Sequence, residues 1–173
     1  MPAPLARCLL ALCLLLTADA TGARELHASE DSLLAAELIG VEALPGTDLA
    51  LIVLGVAGRQ LPMFTGLSEA SAILRARDGL YPDRPQTHEL LDSSLREAGW
   101  RAQRVMVDLL DEEGNFHAVI ELVDEGGRKR RLDSRPSDAI ALALRAGARL
   151  YVARDVLDSA AEEAAPAAPQ IST

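Results

Sequence analysis

Aromatic residues are scarce in this 173-residue chain, at 3%: one Trp, two Tyr and two Phe. So few rings disfavour a surface on which successive bases of a single strand would stack. The two cysteines, Cys8 and Cys13, both lie near the N-terminus. Disulfides, zinc fingers and a cysteine nucleophile are thereby excluded from the folded body. Positive charge is also in short supply, with 17 Lys and Arg against 26 Asp and Glu and a formal net charge of −9. A general basic coat is ruled out, so any polyanion must be met by a local patch or through metal ions. No period of 20 to 50 residues repeats, which argues against a solenoid. No apolar run in the body approaches the ~20 residues that cross a bilayer.

At the N-terminus, Arg7 precedes an unbroken apolar run from Cys8 to Leu16, followed by the small-residue signature Ala18-Asp19-Ala20. This pattern predicts a secretory signal peptide over residues 1–20 and an exported protein, periplasmic or secreted, with no membrane attachment after cleavage. Residues 21–32 are polar and aperiodic and read as a flexible leader; residues 162–173, rich in Ala and Pro, read as a disordered tail. The body between them, 33–161, suits one domain.

Leu33–Leu44 and Leu49–Val56 are apolar runs parted by Pro45-Gly46-Thr47-Asp48, which predicts a hairpin, with Gln60–Phe64 as a short third strand. Ser68–Arg77 has helical spacing and Gly79 beyond its end. A second helix should start with Thr87 as its N-cap and place Leu90, Leu91, Leu95 and Ala98 on one apolar face before Gly99. Val105, Val107 and Leu109 then alternate with polar neighbours, as do Phe116, Ala118, Ile120 and Leu122, and a third strand over Arg128–Asp133 completes a meander. Pro136 can open a helix that is apolar nearly all round and stops at Gly147. A strand at Leu150–Val152 and a helix from Asp155 follow. Strands in two batches with helices between them predict an α+β fold with a mixed, largely antiparallel sheet and about four helices.

The runs Arg84-Pro85-Gln86-Thr87-His88-Glu89-Leu90-Leu91 and Asp133-Ser134-Arg135-Pro136-Ser137-Asp138-Ala139-Ile140-Ala141-Leu142-Ala143-Leu144-Arg145 resemble the bifunctional nuclease domain family. Gly66 with Glu69-Ala70 and Ile73, and Tyr151-Val152-Ala153 with Val156-Leu157, add to the resemblance. It covers roughly Leu33 to Ala161. It implies an α+β domain that self-associates and a hydrolase acting on phosphodiester bonds of DNA, RNA or both. Glu89 stands where the family usually has Asp, and Phe64-Thr65 where it usually has Trp-Ile. The expected export signal also departs from the typical intracellular member.

Phosphodiester hydrolysis needs an activated water, stabilisation of charge on the phosphate and usually one or two hard cations. His88 is the expected base, since neutral imidazole near pH 7 can accept a proton. Asp133 and Asp138 flank a strand-to-helix junction that can aim both carboxylates into one cleft, as catalytic groups and, with Glu69 or Glu89, as oxygen ligands for Mg or Mn. Arg84 and Arg135 each precede a proline that restricts the backbone, and a guanidinium can grip phosphate bidentately. The basic run Arg128-Lys129-Arg130-Arg131 should divide between two faces of a strand and act first as a charged sheet edge. A competing expectation is a non-catalytic binding or assembly module in which these same residues pair with one another and hold the fold and a subunit interface.

Overall fold

The computed structural model describes residues 24–164. The expected signal peptide and the end of the expected tail lie outside the described residues.

β2 (Leu49–Val56) shows why the first batch of strands forms a sheet. Ala50, Ile52, Leu54 and Val56 point inward and are at most 1% exposed, while Leu49, Leu51, Val53 and Gly55 alternate outward. It pairs antiparallel with β1 (Leu33–Ala43) and β3 (Arg59–Gly66). The β2–β3 turn closes through two left-handed residues, Ala57 at φ 50° and Gly58 at φ 78°, the twist that a two-residue hairpin requires. A second meander joins β4 (Trp100–Leu110), β5 (Phe116–Asp124) and β6 (Lys129–Ser134). The seventh strand, β7 (Arg149–Ala153), sits between the two meanders, antiparallel to β1 and parallel to β4. One seven-stranded sheet results, in the order β3-β2-β1-β7-β4-β5-β6. The α+β architecture, the mixed and mostly antiparallel sheet and the four helices all agree with the sequence reading.

Those helices are α1 (Leu67–Arg77), α2 (Thr87–Glu97), α3 (Pro136–Ala146) and α4 (Arg154–Ala164). α3 packs on β4 and β5 and is also covered by α1 and α2. Its residues Ala139–Ala143 are 0% exposed, and its alanines let the helix lie close to the sheet. Pro136 occupies the first turn, and Gly147 ends the helix in the left-handed region at φ 69°, where only glycine is free of a Cβ penalty.

Two expectations are corrected. The N-cap of α2 is Gln86 rather than Thr87, and its backbone N–H donates to Glu89 Oε2 at 3.0 Å. Glu89 faces inward on α2, paired with the buried Arg145 at 2.5 Å, so Leu90 and Leu91 turn outward at 57% and 39% exposure. The buried ion pair, not the leucines, sets the rotation of the helix, because a desolvated carboxylate must keep its partner.

The leader is the second correction, because it is anchored from Arg24 onward. The Arg24 guanidinium donates to the fully buried carboxylate of Asp108 at 2.5 Å and pairs with Asp133 at 2.8 Å. The His27 backbone N–H donates to Asp108 at 2.8 Å. Farther along, Glu30, in a short 3-10 turn over Glu30–Ser32, accepts from Arg104 at 2.7 Å and Arg131 at 2.6 Å. Cross-strand pairing puts Asp133, Val119 and Met106 in one row and Arg131, Glu121 and Arg104 in the next, on the same face. The leader therefore straps that face with one cationic and one anionic anchor.

Candidate functional site

The first turn of α3 and the start of α2 come together through their charges. His88 Nε2 lies 3.1 Å from Asp138 Oδ1. The other Asp138 oxygen accepts from Arg135 Nε at 2.7 Å, and Arg135 Nη2 reaches Glu69 Oε1 of α1 at 3.0 Å. Three helices are thus tied by the run His88–Asp138–Arg135–Glu69. Asp138 is in the first turn of its helix, with its negative charge at the positive end of the helix dipole. The Arg135 pKa is raised first by its hydrogen bond to Asp138, then by that carboxylate's charge and by Glu69. Gly66 helps to seat Glu69: a Cβ at this position would lie 2.6 Å from Glu69 Oε2. The cluster is open, with side-chain exposures of 66% for Arg135 and 30% for Asp138.

Arg135 also borders a cavity of about 800 Å³. Both edges of the sheet contribute to its lining, Phe64 and neighbouring residues from β3 and Asp133 and Ser134 from β6, together with His117 of β5 and Ser137 of α3. His117 Nε2 sits 2.8 Å from Asp111 Oδ2. Sequence patterning gave no sign that His117, Phe64 and Ser137 would meet, because they come from distant elements.

Of the residues singled out from sequence, His88, Asp138, Arg135 and Glu69 are brought together. Asp133 lines the cavity but is turned toward Arg24 of the leader. Arg84 lies exposed in the loop between α1 and α2 and forms no ion pair among the described residues. Glu89 is committed to Arg145, whose guanidinium also donates to the Leu80 carbonyl and stacks over Tyr81 at 4.6 Å. Among the described residues, no three His, Cys, Asp or Glu side chains form a cluster that could hold a metal ion. Glu69 and Asp138 nevertheless converge on one positive charge, the Arg135 guanidinium.

The basic run divides as its period requires. Lys129 and Arg131 turn to the buried Glu121, which also takes two hydrogen bonds from Arg104. Burial pushes the Glu121 carboxyl up, but the hydrogen bonds from Arg104 and Lys129 outweigh it and hold its pKa at about 2. On the opposite face, Arg128 and Arg130 stand 5.9 and 5.4 Å from the Trp100 ring. β6 is an edge strand, so this run is a charged edge largely occupied by partners within the chain.

A family model described as the bifunctional nuclease domain matches residues 52–165. Two uncharacterised proteins of Mycobacterium tuberculosis, from strains CDC 1551 / Oshkosh and H37Rv, are each 40% identical to this chain over 103 residues. The match takes in 59% of this chain, and the chain spans 59% of the length of these curated relatives.

Proposed function

The chain belongs to the bifunctional nuclease domain family, and on that premise we propose that it hydrolyses phosphodiester bonds of DNA, RNA or both at the His88–Asp138–Arg135–Glu69 cluster. The observation that carries this reading is the hydrogen-bonded contact of His88 with Asp138 beside the exposed Arg135. In the tautomer whose Nε2–H donates to Asp138, Nδ1 of His88 is left to accept a proton from water. Asp138 would fix that tautomer and the orientation of the ring. The Arg135 guanidinium, drawn from its carboxylates, grips the phosphate with two parallel hydrogen bonds. Glu69 and Asp138 are the residues that would hold a Mg or Mn ion, whose contribution would be to neutralise charge on the phosphate. The test is cleavage of labelled DNA and RNA by the purified chain with Mg, Mn or chelator. The reading expects metal-stimulated cleavage that Asp138→Asn abolishes while the protein stays folded.

A second reading, an assembly module without catalysis, draws on a different observation. The outward row of β2, Leu49, Leu51 and Val53, lies beside the exposed Phe64 and Ile39 on neighbouring strands, and Leu80, Tyr81 and Leu90 are also exposed. Such surfaces suit contacts between copies of the chain. Light scattering at tens of micromolar tests self-association, and a monomer mass contradicts it. Export is proposed on the N-terminal pattern alone, and N-terminal sequencing of material recovered outside the cytoplasm tests it.

A further inference from the structure

The cavity beside Arg135 has features that the hydrolytic cluster does not use. Its volume, about 800 Å³, is within the range of roughly 300–1,000 Å³ common to small-molecule sites. The first turn of α3 contributes one wall. Pro136 has no N–H, and no side chain caps this helix, which leaves the N–H groups of Ser137 and Asp138 as the orphan donors of its first turn. Ser137 is only 7% exposed and lines the cavity, and among the described residues its hydroxyl has no hydrogen-bond partner. An unpartnered hydroxyl on a residue more than nine-tenths buried that lines a cavity, beside uncapped N–H groups of an eleven-residue helix, suits an anion with several acceptor oxygens.

Phe64 forms another wall. It is 71% exposed, although a large apolar ring on an edge strand is usually covered. Among the described lining residues the one acidic side chain, Asp133, is paired with Arg24. An anion entering the cavity therefore meets Ser137, the helix N-terminus and Arg135, with Asp133 held by its own cation.

We propose that this cavity is a subsite for a single nucleotide, with the phosphate against Ser137 and the first turn of α3 and the base stacked on Phe64. The inference rests on the phosphodiesterase reading for the identity of the anion and extends it to the shape of the substrate. One ring stacks one base, and that base must be out of any duplex to reach it. The nucleotide is either the phosphorylated end of a single strand or a free mononucleotide.

The full chain is titrated with thymidine 5′-monophosphate, thymidine and inorganic phosphate, and binding is followed by NMR shifts of the protein. The monophosphate is expected to bind more tightly than either of its parts. Ser137→Ala should weaken the monophosphate and phosphate about tenfold and leave thymidine unchanged, as the loss of one hydrogen bond to a charged group predicts. Phe64→Ala should weaken the monophosphate and thymidine about tenfold, and Phe64→Trp should restore both. Melting temperatures of the variants accompany each titration. Oligothymidylates with a 5′-phosphate or a 5′-hydroxyl separate the two sources: tighter binding of the phosphorylated strand than of the monophosphate assigns strand ends, and equal binding assigns the free nucleotide. Failure of the monophosphate to bind, or binding unchanged in both Ser137→Ala and Phe64→Ala, overturns the subsite. Monophosphate binding by a chain that cleaves neither DNA nor RNA keeps the subsite and removes the nuclease reading, whereas cleavage without monophosphate binding removes the subsite alone.

Discussion

Glu121 and Arg135 each stand at the centre of a charged cluster, one sealed by the fold and the other open to solvent. The Glu121 carboxylate is 1% exposed and has Arg104, Lys129 and Arg131 around it, with Glu30 of the leader balancing two of those cations. The Arg135 guanidinium is 66% exposed and is shared by Asp138 and Glu69. The residue types are the same, but burial gives them different uses. A desolvated carboxylate whose partners are removed has no water to replace them, so its cluster is fixed and serves stability. Exposed ion pairs are worth roughly 0–1 kcal/mol, so Arg135 can leave its carboxylates for a phosphate at little cost. The sealed cluster ties the leader to the sheet, and the open one is the place for chemistry.

Several measurements would break or sharpen this contrast. His88→Gln removes the proposed base from the open cluster and should lower the cleavage rate by ~10²–10⁴-fold with little change in melting temperature; equal rates in the variant and the parent would take the chemistry away from this cluster. In the sealed cluster, Glu121→Gln should cost about 2 kcal/mol of stability, because Arg104, Lys129 and Arg131 lose their hydrogen bonds to a buried charged acceptor. Urea unfolding measures that loss, and a change no larger than that seen for Arg135→Gln would erase the distinction.

Acid gives a third comparison. The Glu121 pKa is depressed from 4.5 to about 2, and Glu30 is also held below its ordinary value, first by its hydrogen bond from Arg104. A carboxyl depressed on folding contributes stability that is fully present above its unfolded pKa and is lost as pH falls toward the folded one. The parent should therefore lose stability between about pH 4.5 and pH 2, and Glu121→Gln should flatten that slope. Unfolding curves at several pH values across this window measure it. The smallest effect is expected from Gly66→Ala, whose Cβ would crowd Glu69 Oε2. The flexible carboxylate can swing away, so stability should change by less than ~1 kcal/mol. The loosened Arg135–Glu69 pair should show as a shift of the Arg135 Nη–H resonances in NMR spectra.

Local patterning carried most of the elements. The alternation through β4 and β5 and the Pro136-to-Gly147 bounds of α3 are readable without a structure, since they depend on side-chain period and on two residues with restricted or unusual backbones. The place of β7 was not readable, because Leu150–Val152 says that a strand exists and nothing about which neighbours it chooses. Leu90 and Leu91 misled for a related reason: the inward face of α2 is set by the pairing of Glu89 with Arg145, a contact between distant segments. His88 and Asp138 were legible as candidates through the family motifs, and their meeting at 3.1 Å is a product of the α2–α3 packing. Arg24 was invisible, because a single arginine in an aperiodic leader has no pattern to announce that it will hold Asp108 and Asp133.

The central claim is that the open cluster works on phosphodiesters, and the most direct test is cleavage of labelled single-stranded DNA and RNA by Arg135→Gln beside the parent across a range of salt concentrations. The account predicts that the folded variant melts within a few degrees of the parent, binds both substrates more weakly with a shallower salt dependence, and cleaves them more slowly. A folded variant that matches the parent in binding, salt dependence and rate would contradict it.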